Sequence, residues 1–190
     1  MKILNPLYFG RRAATVAVGL AVLSIAIYAG QITGAIYTTN SFGGTVDQNI
    51  YDRATDVYLS GGPNNSNSAG LPAGTIFYFE VTDPSGNTLL SIDQATCREV
   101  ITDGNGRING PYDDTGCVHS IGTPDAANGA IPVRLSPFSQ TPNNGGEYKV
   151  TLVRKDAAGV SVLADGRTLD YPKSATKSDN YKIRNFGGID

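Results

Sequence analysis

The stretch 75–92 constrains the fold more than any other part of the chain. It reads Thr-Ile-Phe-Tyr-Phe-Glu-Val-Thr, then Asp-Pro-Ser-Gly-Asn, then Thr-Leu-Leu-Ser-Ile. Side chains alternate between the two faces of a strand, so Phe77, Phe79 and Val81 line one face while Ile76, Tyr78, Glu80 and Thr82 line the other. Asp83, Pro84, Ser85 and Gly86 carry turn chemistry: Pro presets φ at the second turn position, and Gly accepts a positive φ at little cost. Leu89 and Leu90 restart the apolar pattern. The stretch therefore predicts a β-hairpin, to which other strands can be added.

Further strands are expected on either side. Residues 46–50 offer a first strand and 56–60 a stronger one. Residues 61–70, Gly-Gly-Pro-Asn-Asn-Ser-Asn-Ser-Ala-Gly, read as a long exposed loop. A second hairpin is expected from 98–102 and 107–109 around Asp103-Gly104-Asn105-Gly106, a strong signal for a positive-φ turn. Residues 110–130 read as irregular. The segment 131–135 reads as a strand that starts at an edge or bulge, because Pro132 cannot donate to a ladder. Residues 147–154 form a clear strand with Tyr148, Val150 and Leu152 on one face. Residues 160–163 are expected to pair back with it, and 179–186 to close the sheet through Tyr181 and Ile183. Eight or nine short strands with turn signals between them, and no amphipathic helix after residue 35, predict an all-β fold: an antiparallel β-sandwich over residues 46–190. A length of 190 residues and a hydrophobic fraction of 40% suit one domain with a substantial core.

Residues 1–35 are set apart from that domain. Lys2, Arg11 and Arg12 lead into the apolar run 13–28. This is the layout of a secretory signal peptide, with cleavage expected near Ala29 or Ala35; the alternative is an uncleaved membrane-anchor helix. Arg11-Arg12 lacks the surrounding residues of a twin-arginine signal. Residues 36–45 read as a short exposed arm. Loss of 1–35 removes Lys2, Arg11 and Arg12 and no acid, so Lys plus Arg falls from 15 to 12 against 17 acidic residues. The chain holds no lysine between Lys2 and Lys149. An acidic balance without a basic patch argues against nucleic acid as a partner.

Four elements carry a resemblance: Asp56-Val-Tyr-Leu-Ser-Gly-Gly-Pro, Tyr78-Phe-Glu-Val-Thr-Asp-Pro-Ser-Gly-Asn-Thr-Leu-Leu-Ser, Thr141-Pro-Asn-Asn-Gly-Gly-Glu-Tyr-Lys-Val and Lys177-Ser-Asp-Asn-Tyr-Lys-Ile. Together they resemble a group of uncharacterised exported bacterial proteins. More loosely, they are similar to prealbumin-like and immunoglobulin-like surface domains over residues 45–185. The resemblance implies a sandwich and export, and it implies no activity, because a fold does not carry a function.

Cys97 and Cys117 are the only cysteines and flank the second hairpin, so in an exported chain they are expected to pair. A zinc-type site from Cys97, Cys117 and His119 lacks an evident fourth ligand. His119, the sole histidine, is expected to be an ordinary surface or loop residue. Asp114-Thr115-Gly116 matches the aspartic-protease triplet, but those enzymes need two such loops, and turn composition explains the single copy better. Asp103, Asn105, Asn109, Asp113 and Asp114 crowd oxygen ligands together as calcium sites do, but not with EF-hand spacing: Arg107 and Ile108 interrupt it. A Lys–Asn crosslink at Asn180 is set aside, since the early strands hold no lysine. Without Trp, an aromatic platform for sugars has no support beyond the tyrosines, which fall within strand patterns.

The expected function is an exported, non-enzymatic module, structural, adhesive or protein-binding, that is secreted or held at the cell surface. Its partner is an unidentified surface or extracellular protein; membrane contact is expected only through an uncleaved leader, and self-association is left open. The first alternative is a calcium- or ligand-binding accessory domain using the 103–119 loops, with Asp103, Asn105, Asp113 and Asp114 as calcium ligands. The second is a small secreted hydrolase.

Overall fold

The computed structural model describes residues 32–44, 48–63 and 67–186. Among them are eleven strands: β1 Ala35–Thr39, β2 Ile50–Tyr51, β3 Tyr58–Gly62, β4 Ile76–Thr82, β5 Glu99–Thr102, β6 Ile108–Pro111, β7 Val133–Arg134, β8 Glu147–Arg154, β9 Ser161–Val162, β10 Leu169–Asp170 and β11 Thr176–Ile183. The only helical structure in the described residues is three single 3-10 turns, at Ala54–Asp56, Ala95–Cys97 and Lys173–Ala175. The chain is thus built mostly of strands.

Six strands form one sheet in the order β2-β11-β8-β4-β5-β6, antiparallel except for the parallel β2–β11 pair. A second sheet has the order β1-β3-β7, and β9 pairs with β10. The small sheet is prolonged past β7: Gly122 N–H donates to the Pro132 carbonyl and Arg134 N–H to the Ser120 carbonyl, both at 2.8 Å. One apolar cluster draws on both sheets, joining Ile36, Leu59 and Val133 to Phe77, Phe79, Val81, Tyr148, Val150 and Leu152. Phe79 lies opposite Leu152, and Val81 opposite Val150. Each such side chain contributes roughly 1.5–3 kcal/mol by leaving water. The alternation in 75–82 and 147–154 therefore specifies the core face as expected.

The other face of the large sheet is covered too. Tyr78, Glu80 and Thr82 are buried as well. Tyr78 and Val153 join Ala95 and Leu169 in a second cluster, and Val162 of β9 packs on it. The small β9–β10 ladder thus covers strands that carry a polar pattern.

Four expectations are corrected. The exposed arm 36–45 is for the most part strand: β1 pairs with β3 along its length, and Tyr37, Thr38 and Thr39 are buried. Ile32 is buried in the main cluster too, so the folded domain starts before residue 46. Gly61 and Gly62 belong to β3 and are buried, not looped out, because a side chain at either would strike β1 or the 106–107 backbone. The second arm of the 75–92 hairpin is reduced to a single bridge, Thr82 to Leu89, since β8 and β5 take the two edges of β4. Residues 161–162 pair with β10 and not with β8, whose partners are β4 and β11. The 98–109 hairpin is present, closed by Thr102 opposite Ile108. The apolar run 13–28, Val46 and the Asn64-Asn65-Ser66 triplet lie outside the described residues.

Candidate functional site

Cys97 and Cys117 form a disulfide across 20 residues with a Cα–Cα distance of 4.9 Å. The bridge fastens the 3-10 turn Ala95–Cys97 to the irregular 112–118 segment, and each cysteine is followed by a buried charged or titratable side chain. Arg98, directly after Cys97, is fully buried. Its Nη1 donates to the Phe79 carbonyl at 3.1 Å, its Nη2 donates to the Arg167 carbonyl, and its Nε lies 3.5 Å from Asp93 Oδ1. His119, two residues after Cys117, is also buried, edge-on to Phe79 at 4.9 Å. Its Nε2 is 2.7 Å from Asp93 Oδ2 and its Nδ1 is 2.7 Å from the Arg134 carbonyl oxygen. One carboxylate, Asp93, thus holds together the two chain segments that the disulfide joins.

This geometry limits the chemistry of His119. A carbonyl oxygen only accepts, so Nδ1 carries a proton, and Nε2 is engaged by a carboxylate. Neither nitrogen is left to take a proton from a nearby serine. His119 lies in a loop, as one of the two expectations had it, but the expectation of a surface residue is corrected: the ring is enclosed and engaged at both nitrogens.

A second polar group lies beside the first. Lys155 Nζ reaches both oxygens of Glu99, at 2.8 and 2.7 Å, and lies 3.6 Å from Asp114 Oδ2. It sits over the Tyr78 ring at 5.3 Å and the Tyr112 ring at 5.7 Å. Burial pushes the Glu99 carboxyl above its ordinary range, against the pull of the ammonium. Burial works to lower the Lys155 ammonium, but Glu99, helped by Tyr78 and Asp114, raises it overall. Glu80, beneath β10, accepts a hydrogen bond from the Tyr171 hydroxyl; burial raises its carboxyl, while Tyr171 and Arg98 pull it down. Desolvation lowers Arg98 itself, with Asp93 and Glu80 opposing.

The proposed calcium ligands are not brought together. Asp103 Oδ1 accepts the Asn105 and Arg107 N–H groups at 2.8 and 2.9 Å, closing its own turn. Asp113 Oδ1 accepts the Gly116 N–H at 2.6 Å, and Asp114 faces Lys155. Among the described residues, no group of three His, Cys, Asp or Glu side chains could hold a metal ion.

The sequence reading missed Asp93, Arg98, Glu99 and Lys155. A signal was present: Arg98 and Glu99 are charges placed where the pattern runs into a buried strand, and buried charges need partners.

Two depressions border Arg134 of β7. One, of ≈ 690 Å³, is bordered by the disulfide, Val118, His119 and Pro137. The other, of ≈ 570 Å³, runs between Asn40, Asp52 and Asp56. Thr55 and Arg134 belong to both. Comparison of the chain with protein-family models, curated proteins and solved structures gives no match.

Proposed function

We propose that this chain is an exported, non-enzymatic β-sandwich of the immunoglobulin-like or prealbumin-like kind, serving as a structural, adhesive or protein-interaction module, secreted or at the cell surface. The observation that carries the reading is the Cys97–Cys117 disulfide, a bond that persists in oxidising compartments and staples a segment with little apolar content of its own. The shared core of the two sheets supports the sandwich. The apolar run 13–28 behind Lys2, Arg11 and Arg12 supports export. Burial of Ile32, and the packing of Gly34 against the Gly70–Leu71 backbone, favour processing at Ala29 over Ala35, since the later cut would remove part of the core.

Fractionation of the producing cell with N-terminal sequencing of the recovered chain tests this. The expected product begins near Gly30 in the extracellular or surface fraction. A chain that keeps Met1 and sediments with membranes would turn the leader into an anchor, and a cytosolic chain with two free thiols would overturn export.

A ligand-binding role is the second reading, favoured by the two depressions beside Arg134. Its calcium form, through Asp103, Asn105, Asp113 and Asp114, draws no support from carboxylates already engaged in turns. The hydrolase reading draws none from His119, whose nitrogens are both engaged.

A further inference from the structure

The geometry points to a binding site for a neutral oligosaccharide in the ≈ 570 Å³ groove that Asn40, Gln48, Asp52, Asp56, Arg134 and Arg184 line. The proposal depends neither on export nor on the 103–119 loops.

The groove falls within the roughly 300–1,000 Å³ of small-ligand sites. Among the described residues its formal charges cancel: two carboxylates stand against two guanidinium groups. A charged ligand would lose at one pair what it gained at the other, whereas a ligand rich in hydroxyls, each both donor and acceptor, can use both. Planar amide, carboxylate and guanidinium groups make up about half of the lining, beside the hydroxyls of Ser41, Thr55 and Tyr58, and such forks match adjacent hydroxyls on a sugar ring.

Arg134, Asn40 and Gln48 are held in place yet incompletely used, while Asp52 and Arg184 are 71% and 62% exposed. Arg134 donates from Nε and Nη2 to the Tyr58 hydroxyl at 3.2 and 2.9 Å, and its Nη1 has no partner among the described residues. Asn40 Nδ2 donates to Gln48 Oε1 at 3.2 Å, which leaves the Gln48 amide donors for a ligand. Among the described residues the Asp56 carboxylate meets only the Thr55 hydroxyl, at 3.5 Å. Arg184 Nη1 meets Asp52 at 3.2 Å and can bridge to solvent or ligand with its other nitrogens. Groups held in place before binding lose less freedom when a ligand arrives. Ile50, 47% exposed at the border of the groove, supplies an apolar surface for the C–H face of a sugar ring, the role an aromatic platform would otherwise take.

Saturation-transfer NMR and titration calorimetry of the full chain with maltotriose, cellotriose and N-acetylchitotriose test the site. At least one of the three is expected to bind with a millimolar or tighter Kd. Gln48→Ala and Asp56→Ala are each expected to weaken it about tenfold, the loss of one good hydrogen bond. Asp113→Ala, which does not line the groove, is expected to leave the affinity unchanged. Neither Gln48 nor Asp56 belongs to either apolar cluster, so both variants should melt within a few degrees of the parent, and either alone decides the matter. No binding of any of the three sugars up to about 10 mM, well into the millimolar range, would overturn the proposal. So would an affinity that survives both substitutions. Tighter binding of trigalacturonate or of an acidic peptide than of every neutral sugar would overturn it too, by assigning the groove to its cations.

Discussion

Phe79 and Glu80 are neighbours in sequence and face opposite environments, and the contrast sets what each substitution should do. Phe79 is fully enclosed, with Leu152 across the ladder and His119 edge-on. Phe79→Ala is expected to cost about 3–5 kcal/mol in denaturant unfolding; a loss under about 1 kcal/mol would mean that the ring is not enclosed. Glu80 titrates above its ordinary value of 4.5 because burial disfavours its charge more than Tyr171 and Arg98 favour it. Between 4.5 and the raised value, the folded chain holds a proton that the unfolded chain has released, so stability falls as pH rises through that window. Glu80→Gln keeps an acceptor for the Tyr171 hydroxyl and cannot titrate. Its melting temperature is expected to fall less than the parent's from about pH 4 to about pH 7, and to be the higher of the two at the neutral end. Glu99, raised by its own burial, should leave a residual slope in both proteins. A variant melting several degrees lower at neutral pH would show that the attraction between Glu80 and Arg98 outweighs the burial. Asp165 has the opposite sign: capped by Thr168 and Arg167, its carboxyl is lowered to about 2, and that contribution is lost only as pH falls toward that value.

The 99–111 hairpin shows how an element is placed by contacts that its own sequence only half announces. Asp103-Gly104-Asn105-Gly106 signals the turn, and Gly106 has the left-handed φ of 74° that the signal requires. The turn also docks on residues 70–71: Leu71 N–H donates to the Gly106 carbonyl at 2.9 Å, and a Cβ on Gly106 would run into the Leu71 carbonyl. Gly106→Ala is therefore expected to destabilise by more than the roughly 1 kcal/mol of a strained turn alone, and Gly104→Ala, with open space around it, by much less. Equal effects in chemical denaturation would remove the docking contact from the account. β4 and β8 were legible because their alternation is long, seven and eight residues, and apolar on one face. β1 was not: Tyr37, Thr38 and Thr39 read as polar yet are buried, and of the three Thr38 is satisfied by Asp179 on β11, which accepts its N–H at 2.7 Å and its hydroxyl at 3.1 Å. β9 was anticipated within 160–163, but its partner β10 escaped for a related reason, two residues being too few to show a period.

At the scale of the whole molecule, the disulfide ties a predictable fold to a site that was not predictable. The pairing of Cys97 with Cys117 followed from their being the only two cysteines in a chain with an export-like start. The convergence of Asp93, Arg98 and His119 could not be read, since they are brought together by the 3-10 turn Ala95–Cys97 and by the return of the chain through 119–122 along β7, neither of which has a periodic pattern. The bridge holds that return in place. Irregular chain on one side of it carries Asp114 to Lys155, and chain on the other carries His119 to Asp93. Replacing both cysteines by serine should therefore do more than restore chain entropy to the unfolded state, an effect of roughly 3 kcal/mol for a loop of this length. Amide hydrogen exchange should accelerate locally over 112–119 in the folded double variant, while the amides of β4 and β8 slow or quicken only with global stability. The expected pattern is a 112–119 segment that opens well before the sheets do. If the stability loss is present but exchange over 112–119 stays coupled to global unfolding, then Asp93 and Lys155 alone hold the segment, and the disulfide acts only on the unfolded chain.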